Sequence, residues 1–172
     1  HKVEVSFRNL HCTSCWSLGC LSSFVSNILQ TVLQQHKHVV KDCKQLVDTI
    51  SRLVPKKTVR FCKLDVLMSG RDVEIAGLIK SLFDDPVLAS LIYDSVFCLL
   101  DNQFGFNPRD QKTCKVIKAS GMGLPHSGAV SECALLAGAE LGLVRELGKF
   151  DIDLYARFKD DILILFNHYG KL

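Results

Sequence analysis

The sequence lacks a long apolar run, an internal repeat and a low-complexity tract. Asp94 and Asp101 bracket its most apolar stretch, so no uninterrupted apolar segment reaches the length of about 18 residues that a membrane-crossing helix needs. The chain also opens without the pattern of a secretory signal. We therefore predict no transmembrane helix, no signal peptide and no membrane partner.

A strong excess of positive charge is missing as well. The chain has 21 lysines and arginines against 18 aspartates and glutamates, which gives a net charge of +3. This charge is only mildly basic and does not by itself indicate a class of partner. With 172 residues, 48% of them hydrophobic, the chain is long enough for one domain with a substantial buried core.

The cysteines leave two interpretations open. Cys12, Cys15 and Cys20 form a Cys-x-x-Cys pair with a third cysteine near it and His11 adjacent, which is typical of zinc sites. No second pair follows at comparable spacing, and this favours free thiols. The other single cysteines in predicted strands or helices should pack as small apolar side chains: Cys62, Cys98, Cys114 and Cys133. Reduced cysteines indicate an intracellular protein, in the nucleus or the cytoplasm.

Hydrophobic periodicity predicts a mixture of helices and strands. Apolar residues at helical spacing predict helices over 22–33, 39–54, 72–83, 86–100 and 128–147. Branched and aromatic residues predict strands over 58–66 and 112–119, and 101–110 is predicted as a loop. Asp84 and Asp85 stand directly before Pro86, a pattern that favours a helix N-cap over a metal site. The sequence therefore predicts an α+β fold.

Two adjacent carboxylates lie between apolar segments near the end of the sequence. One segment ends at Phe158 and the next begins at Ile162, with Asp160 and Asp161 between them. Short aromatic and branched runs joined by a polar break are typical of a tight β-hairpin. Like charges this close repel each other unless a cation binds them, and Mg²⁺ prefers carboxylate oxygens. The hairpin tip is therefore a predicted magnesium site.

Two further segments, both before the hairpin in sequence, contain candidate ligand-binding or metal-binding residues. The loop 120–128 contains three glycines and a proline and leads into an Ala/Leu-rich helical run. Glycine permits close approach to the backbone, so a ligand or template strand could lie against this loop; an ordinary turn into a buried helix is the alternative. Asp65 stands near the end of the predicted strand 58–66, where a rigid element would hold a metal ligand well. A solvated aspartate at a strand end is the alternative there.

In this order the three segments resemble the palm of a reverse transcriptase. The strand with Asp65 is similar to the first catalytic motif, and the loop 120–128 to the glycine/proline loop of the second. Residues 157–161, Arg-Phe-Lys-Asp-Asp, are similar to the aromatic-x-Asp-Asp box of the third. Three more segments extend the resemblance to retroelement polymerases of the Penelope-like or non-LTR type over nearly the whole chain: 21–26, 39–42 and 68–70.

The resemblance implies a polymerase palm, with a small antiparallel sheet packed on helices, and a partial helical fingers region. Residues 1–57 would form the fingers-like part, and residues 58–172 would form the palm with its three motifs. The chain stops soon after Asp161, before the place of a thumb. We therefore expect a fragment of a longer polyprotein that carries the thumb and other domains.

The resemblance also implies the chemistry. Asp65, Asp160 and Asp161 would be catalytic and, with the carbonyl of Val66, would hold two Mg²⁺ ions, for which Mn²⁺ could substitute. Phe158 would support the hairpin beside the primer end. The implied partners are an RNA template, a DNA primer and dNTPs. The residues implied to line the template and the incoming nucleotide are Gly121, Met122, Gly123, Leu124, Pro125, His126, Ser127 and Gly128.

Departures from the family pattern keep other functions open. Reverse transcriptases usually have an aromatic residue a few positions after the first aspartate, where Gly70 stands here, and a few residues are missing between them. A catalytically degenerate palm that only binds nucleic acid is therefore one alternative, and a zinc-stabilised binding module is another. A viral RNA-dependent RNA polymerase is disfavoured, because Lys159 stands directly before Asp160 where that family has glycine. The second motif has His126 where glutamine is common.

Four cations flank the predicted metal site, namely Arg60, Lys63, Arg157 and Lys159. They would either offset the carboxylate charge or face phosphate. The aromatic residues Trp16, Phe104 and Phe106 are interpreted as packing residues rather than as platforms for bases.

Overall fold

The computed structural model describes residues 17–53, 59–65, 70–107, 110–116, 123–150 and 152–167. Within these residues helices form the larger part, and the strands form two small antiparallel sheets. The predicted α+β class is therefore confirmed.

The first four helices differ in how they begin, and two of them start after an aspartate N-cap. They are α1 Gly19–Leu33, α2 Cys43–Ser51, α3 Asp72–Lys80 and α4 Pro86–Asp101. In α4 the predicted N-cap is confirmed, because the Asp85 carboxylate accepts hydrogen bonds from the backbone N–H groups of Val87 and Leu88 at 2.8 and 3.0 Å. In the acidic pair 84–85 it is therefore Asp85 that caps the helix.

The helix predicted over 39–54 begins later than its apolar pattern suggests. Asp42 is the N-cap of α2 and accepts a hydrogen bond from the Gln45 backbone N–H at 2.8 Å. Val39 forms an isolated parallel bridge with Arg157, and the Val40 N–H donates to the Arg157 carbonyl at 2.7 Å. Hydrogen bonds to a distant strand therefore hold residues 39–40 in an extended form and override their helical spacing.

The last helical run is continuous but not uniform. It consists of α5 Ser127–Leu135, a π-helical turn Leu136–Glu140, α6 Leu141–Glu146 and a final 3₁₀ turn Leu147–Phe150. By length and composition alone the run 127–150 could cross a membrane, although 39% of its most apolar window is buried. A core helix of a soluble protein meets the same criterion, so the run is only a weak indication and the prediction of no membrane partner stays a prediction.

The strands form a sheet of three and a separate pair. The strands are β1 Val59–Asp65, β2 Phe104–Asn107, β3 Lys112–Lys115, β4 Ile152–Phe158 and β5 Asp161–Asn167. The larger sheet has the order β1-β5-β4, with β5 antiparallel to both neighbours, and β2 pairs with β3. The prediction of a loop over 101–110 was wrong, because this segment contains β2. The strand predicted over 112–119 is present as β3.

The main apolar core lies among the helices. Side chains from α1, α3, α4, α5 and the π turn form it, among them Val25, Leu29, Ile75, Ile79, Ile92, Val96, Leu99, Val130, Cys133 and Leu136. The three-stranded sheet is tied to this helical body through the side chains of β4 described below. The prediction of a small antiparallel sheet together with helices therefore describes the architecture, and its assignment to a polymerase palm stays a prediction.

Candidate functional site

The register of the three-stranded sheet brings the predicted acidic residues together. β1 pairs with β5 so that Asp65 lies directly opposite Asp161. Residues opposite each other in an antiparallel pair have Cα atoms about 4.5–5.5 Å apart. The backbone thus places two of the predicted catalytic residues, which are far apart in sequence, at the same end of one sheet. The carboxylate of Asp65 lies outside the described side chains, and Val66 lies outside the described residues.

The turn between β4 and β5 is the predicted tight hairpin. Phe158 pairs with Asp161, so that only Lys159 and Asp160 form the connection. Lys159 has φ of 56°, in the left-handed region that favours glycine. The side chains of Asp160 and Asp161 are both exposed. The hairpin and its acidic tip are therefore confirmed, with β5 beginning at Asp161 rather than at Ile162.

One of the flanking lysines offsets the carboxylate charge. Lys63 Nζ lies 2.9 Å from Asp161 Oδ1, and both side chains are more than half exposed, at 67% and 51%. Lys159 instead extends over the ring of Phe158, with its Nζ 5.4 Å from the ring centroid. An exposed ion pair of this kind exchanges readily with solvent ions, so Lys63 shields Asp161 without blocking it.

Arg157 does not face phosphate, because its side chain is completely buried. Its Nε donates to Glu140 Oε1 at 2.7 Å, and its Nη1 donates to Glu132 Oε2 at 3.2 Å. The exposed fraction of its side chain is 0%, against 1% for Glu140 and 15% for Glu132. The interpretation that Arg157 either neutralises the acidic tip or binds phosphate was therefore wrong, since its charge is used by the two glutamates.

The carboxylate of Glu140 is the centre of this buried cluster. Besides Arg157, the Tyr155 hydroxyl donates to Glu140 Oε1 at 2.7 Å, and His38 Nε2 lies 3.6 Å from Oε2. Burial raises the pKa of Glu140, but the nearby His38 ring and the hydrogen bonds from Arg157 and Tyr155 outweigh burial and leave this pKa below its ordinary value. At neutral pH Glu140 is therefore ionised inside the fold.

The same cluster shifts the pKa of its other acidic groups upward. Burial raises the pKa of Glu132, although Arg157 opposes this shift. Burial and the hydrogen bond to Glu140 raise the pKa of the Tyr155 hydroxyl. Tyr155 is therefore a neutral donor throughout the physiological range.

The glycine-rich loop is described only from Gly123 onward, so Gly121 and Met122 lie outside the described residues. Gly123 has φ of 92°, and a Cβ added at Gly128 would meet nothing within 4 Å. The predicted loop ends earlier than expected, because α5 begins at Ser127 and therefore includes Ser127 and Gly128. Of the remaining loop residues, Pro125 is exposed and Leu124 is 7% exposed. A ligand that lies along this loop would therefore contact its backbone and its glycines rather than its apolar side chain.

His126 faces the interior of the protein. Its side chain is 0% exposed, Ser22 Oγ lies 2.9 Å from its Nδ1, and Gln103 Nε2 lies 3.3 Å from its Nε2. These contacts tie the start of α5 to α1 and to the end of α4. The predicted role of this position in lining a template or nucleotide stays a prediction, and through this buried ring it would be indirect.

The cysteines follow the prediction only in part. Cys133 is buried as predicted, and burial raises the pKa of its thiol to about 12. Cys62 and Cys98 are half-buried, whereas Cys114 is exposed, so its predicted burial was wrong. Phe104, predicted as a packing residue, is 52% exposed.

The described side chains leave both metal predictions undecided. Cys20 is an exposed free thiol, and the other zinc candidates, His11, Cys12 and Cys15, lie outside the described residues, as does Trp16. Among the side chains that the structure describes, no group of three His, Cys, Asp or Glu is close enough to hold a metal ion. The acidic tip thus supplies two described carboxylates, and a complete site there would need Asp65 as well.

Sequence reasoning missed Glu132, Glu140, Tyr155 and His38, which build the cluster beneath the tip. The signal available was two glutamates inside an Ala/Leu-rich helix, since a charge in an apolar run is often paired when it is buried. The chain matches no protein-family model and no curated protein.

Proposed function

We propose that the chain is the palm and fingers part of an RNA-directed DNA polymerase, which adds dNTPs to a primer 3′-hydroxyl. The observation that supports this proposal is the β1–β5 register, which sets Asp65 opposite Asp161. Asp160 precedes Asp161 in the exposed turn. The first and third motifs of the resemblance therefore meet at one end of the sheet, as metal-dependent nucleotidyl transfer requires.

The donor set at this end fits Mg²⁺. Asp160 and Asp161 present exposed carboxylates, and hard oxygen ligands of this kind are the ones that Mg²⁺ prefers in sites that also bind phosphates. Asp65, Asp160 and Asp161, with the carbonyl of Val66, would hold two ions. When bound, such ions activate the attacking hydroxyl and neutralise the charge of the leaving pyrophosphate.

The remaining residues of the site would position the nucleic acid. Residues 121–128 would lie along the template and the incoming dNTP, with close contact permitted at Gly123 in the loop and at Gly128 in the first turn of α5. Phe158, half-buried beside the turn, would support the hairpin at the primer end. Lys63 would contact phosphate once a metal ion replaces it at Asp161.

The test is primer extension by the full chain on an RNA template with Mg²⁺ or Mn²⁺. Replacing Asp160 with Asn should abolish synthesis, because an amide binds these cations far more weakly than a carboxylate. Asp84→Asn is the matched control. Asp84 is the exposed first residue of the other Asp-Asp pair, and its substitution leaves the helix cap of Asp85 intact. Synthesis that survives Asp160→Asn would refute the assignment.

A palm that binds nucleic acid without catalysis is the second candidate. It is favoured by the Lys63–Asp161 ion pair, which neutralises one of the acidic residues without a metal ion. The missing residues after Asp65 favour it too. Such a palm would bind RNA more weakly as the salt concentration rises, and it would not incorporate dNTPs in the primer-extension assay.

A further inference from the structure

We propose that Arg157 is a positioning residue that aims Asp160 from inside the fold. This inference deepens the proposed function, and its meaning for catalysis rests on that function. The structure gives Arg157 one hydrogen bond to the hairpin turn itself and several to the helical body. The buried guanidinium is thus a direct link between the acidic tip and the rest of the protein.

The contact with the turn is made at the peptide unit that leads into Asp160. Arg157 Nη1 donates to the carbonyl oxygen of Lys159 at 3.0 Å. That carbonyl belongs to the peptide plane whose nitrogen is the backbone nitrogen of Asp160. Since the plane is rigid, a hydrogen bond at its oxygen sets the direction in which Asp160 leaves the turn.

The turn needs such a contact because its backbone is strained. Lys159 has φ of 56°, a left-handed conformation that non-glycine residues adopt only where the surroundings hold them. The Lys159 side chain extends along the surface over Phe158. The buried hydrogen bond from Arg157 therefore comes from the inner side of the turn and leaves its outer side open to a ligand.

The helical body holds the Arg157 side chain in place. Glu140, which receives Arg157 Nε at 2.7 Å, is the last residue of the π-helical turn, and π turns inside helices are frequent at functional sites. Glu132 receives Nη1 at 3.2 Å, and its backbone carbonyl receives Nη2 at 3.5 Å. The planar fork of arginine can serve all these acceptors at once, which a lysine cannot.

The backbone of Arg157 is held as well. Its N–H donates to the His38 carbonyl at 2.8 Å, and its carbonyl accepts from the Val40 N–H at 2.7 Å. β4 is therefore paired on both edges at this residue, with β5 on one side and residues 38–40 on the other. The side chain consequently starts from a fixed point, so its reach to the turn is set by the fold.

The decisive variant is Arg157→Lys, because it retains the positive charge and removes the fork. Binding of Mn²⁺ alone to the full chain should weaken about tenfold, the factor expected when one hydrogen bond from a charged donor is lost. Amide hydrogen exchange at Asp161, which pairs with Phe158 in the β4–β5 ladder, should accelerate by a similar factor. Glu74→Gln, which removes the exposed ion pair with Arg71, is the control and should change neither quantity.

Two readouts separate this inference from the proposed function. If the wild-type chain binds no Mn²⁺ at the tip, the proposed function fails, and faster exchange at Asp161 in Arg157→Lys would still support the positioning role. If Arg157→Lys is folded and retains both the Mn²⁺ affinity and the exchange rates of the wild type, the positioning role is refuted.

A second variant serves if Arg157→Lys does not fold. Glu132→Gln retains the shape and an acceptor oxygen but binds Nη1 more weakly. It should accelerate exchange at Asp161 about threefold, as expected for a partly retained hydrogen bond. Unchanged exchange in this folded variant would overturn the inference equally.

Discussion

Replacing Arg157 with Met tests whether the buried cluster joins the sheet to the helices. Met has an unbranched apolar side chain of similar length, so the substitution fills much of the same space and removes the guanidinium. The loss would include the hydrogen bonds to Glu140, Glu132 and the Lys159 carbonyl. The larger consequence is that Glu140, with 1% of its side chain exposed, would remain ionised without its main cationic partner.

The magnitude follows from that unpaired charge. Removing one partner of a buried ion pair reduces the free energy of unfolding by about 3–5 kcal/mol. The upper end is not expected, because the Tyr155 hydroxyl still donates to Glu140 and His38 lies 3.6 Å from it. We therefore expect a loss of about 3 kcal/mol, a large part of the stability of a domain of this size.

Urea unfolding followed by circular dichroism measures this loss. Arg71→Met is the matched control, since Arg71 also pairs with a glutamate but is 69% exposed, and it should hardly change the midpoint. The double variant Arg157→Met with Glu140→Gln should be more stable than Arg157→Met alone, because it removes the stranded charge. If Arg157→Met unfolds at the same urea concentration as Arg71→Met, the reasoning about the cluster is refuted.

The dependence on pH supplies an independent check of sign. In the wild type the pKa of Glu140 is lowered, so its contribution is present above its ordinary pKa of about 4.3 and is lost as the pH falls through the folded value. Without Arg157 we expect burial to dominate and raise that pKa. The destabilisation by Arg157→Met should then be greatest near neutral pH and should shrink as the pH falls toward about 4.3. A difference that grows on acidification would contradict a contribution of Arg157 to the lowered pKa of Glu140.

Two further predictions concern the surface and the core. Lys63→Gln removes the cation that pairs with Asp161 at 2.9 Å, so Mn²⁺ titration should show tighter binding, and weaker binding would show that Lys63 does not compete for the site. Cys133 is buried and its pKa is raised to about 12, so it should resist iodoacetamide in the folded chain while the exposed Cys114 reacts. Mass spectrometry of the labelled protein measures both reactions, and faster labelling of Cys133 than of Cys114 would contradict this prediction.

The sequence predicted best what is local. The acidic hairpin and the strand with Asp65 follow from short runs of branched and aromatic residues, and the Asp85 cap follows from the residues next to it. The register that sets Asp65 opposite Asp161 is not a local property. The resemblance implied only that Asp65, Asp160 and Asp161 hold the same metal ions, and periodicity carries no information on which strands pair.

What the sequence did not show depends on contacts between distant segments. Val39 and Val40 fit a helical period, yet hydrogen bonds to β4 hold them extended. The sequence predicts a loop where β2 lies, because this strand has only four residues and contains Gly105. Arg157 was predicted to serve the exposed tip as other cations do, and its burial could not be inferred without the two glutamates on the facing helix.

The choice of charged residues beneath the tip is itself an argument for a function there. A buried ion pair is seldom more stabilising than apolar side chains of the same volume, so Leu or Met at position 157 with apolar partners could join the sheet to the helices equally well. Apolar side chains, however, cannot donate to the carbonyl of Lys159. The arginine fork adds a fixed direction to the turn that carries Asp160, and direction matters where carboxylates must meet metal ions and hardly at all where a hairpin is only packed. The cluster therefore favours a tip that binds a ligand over one that merely connects two strands.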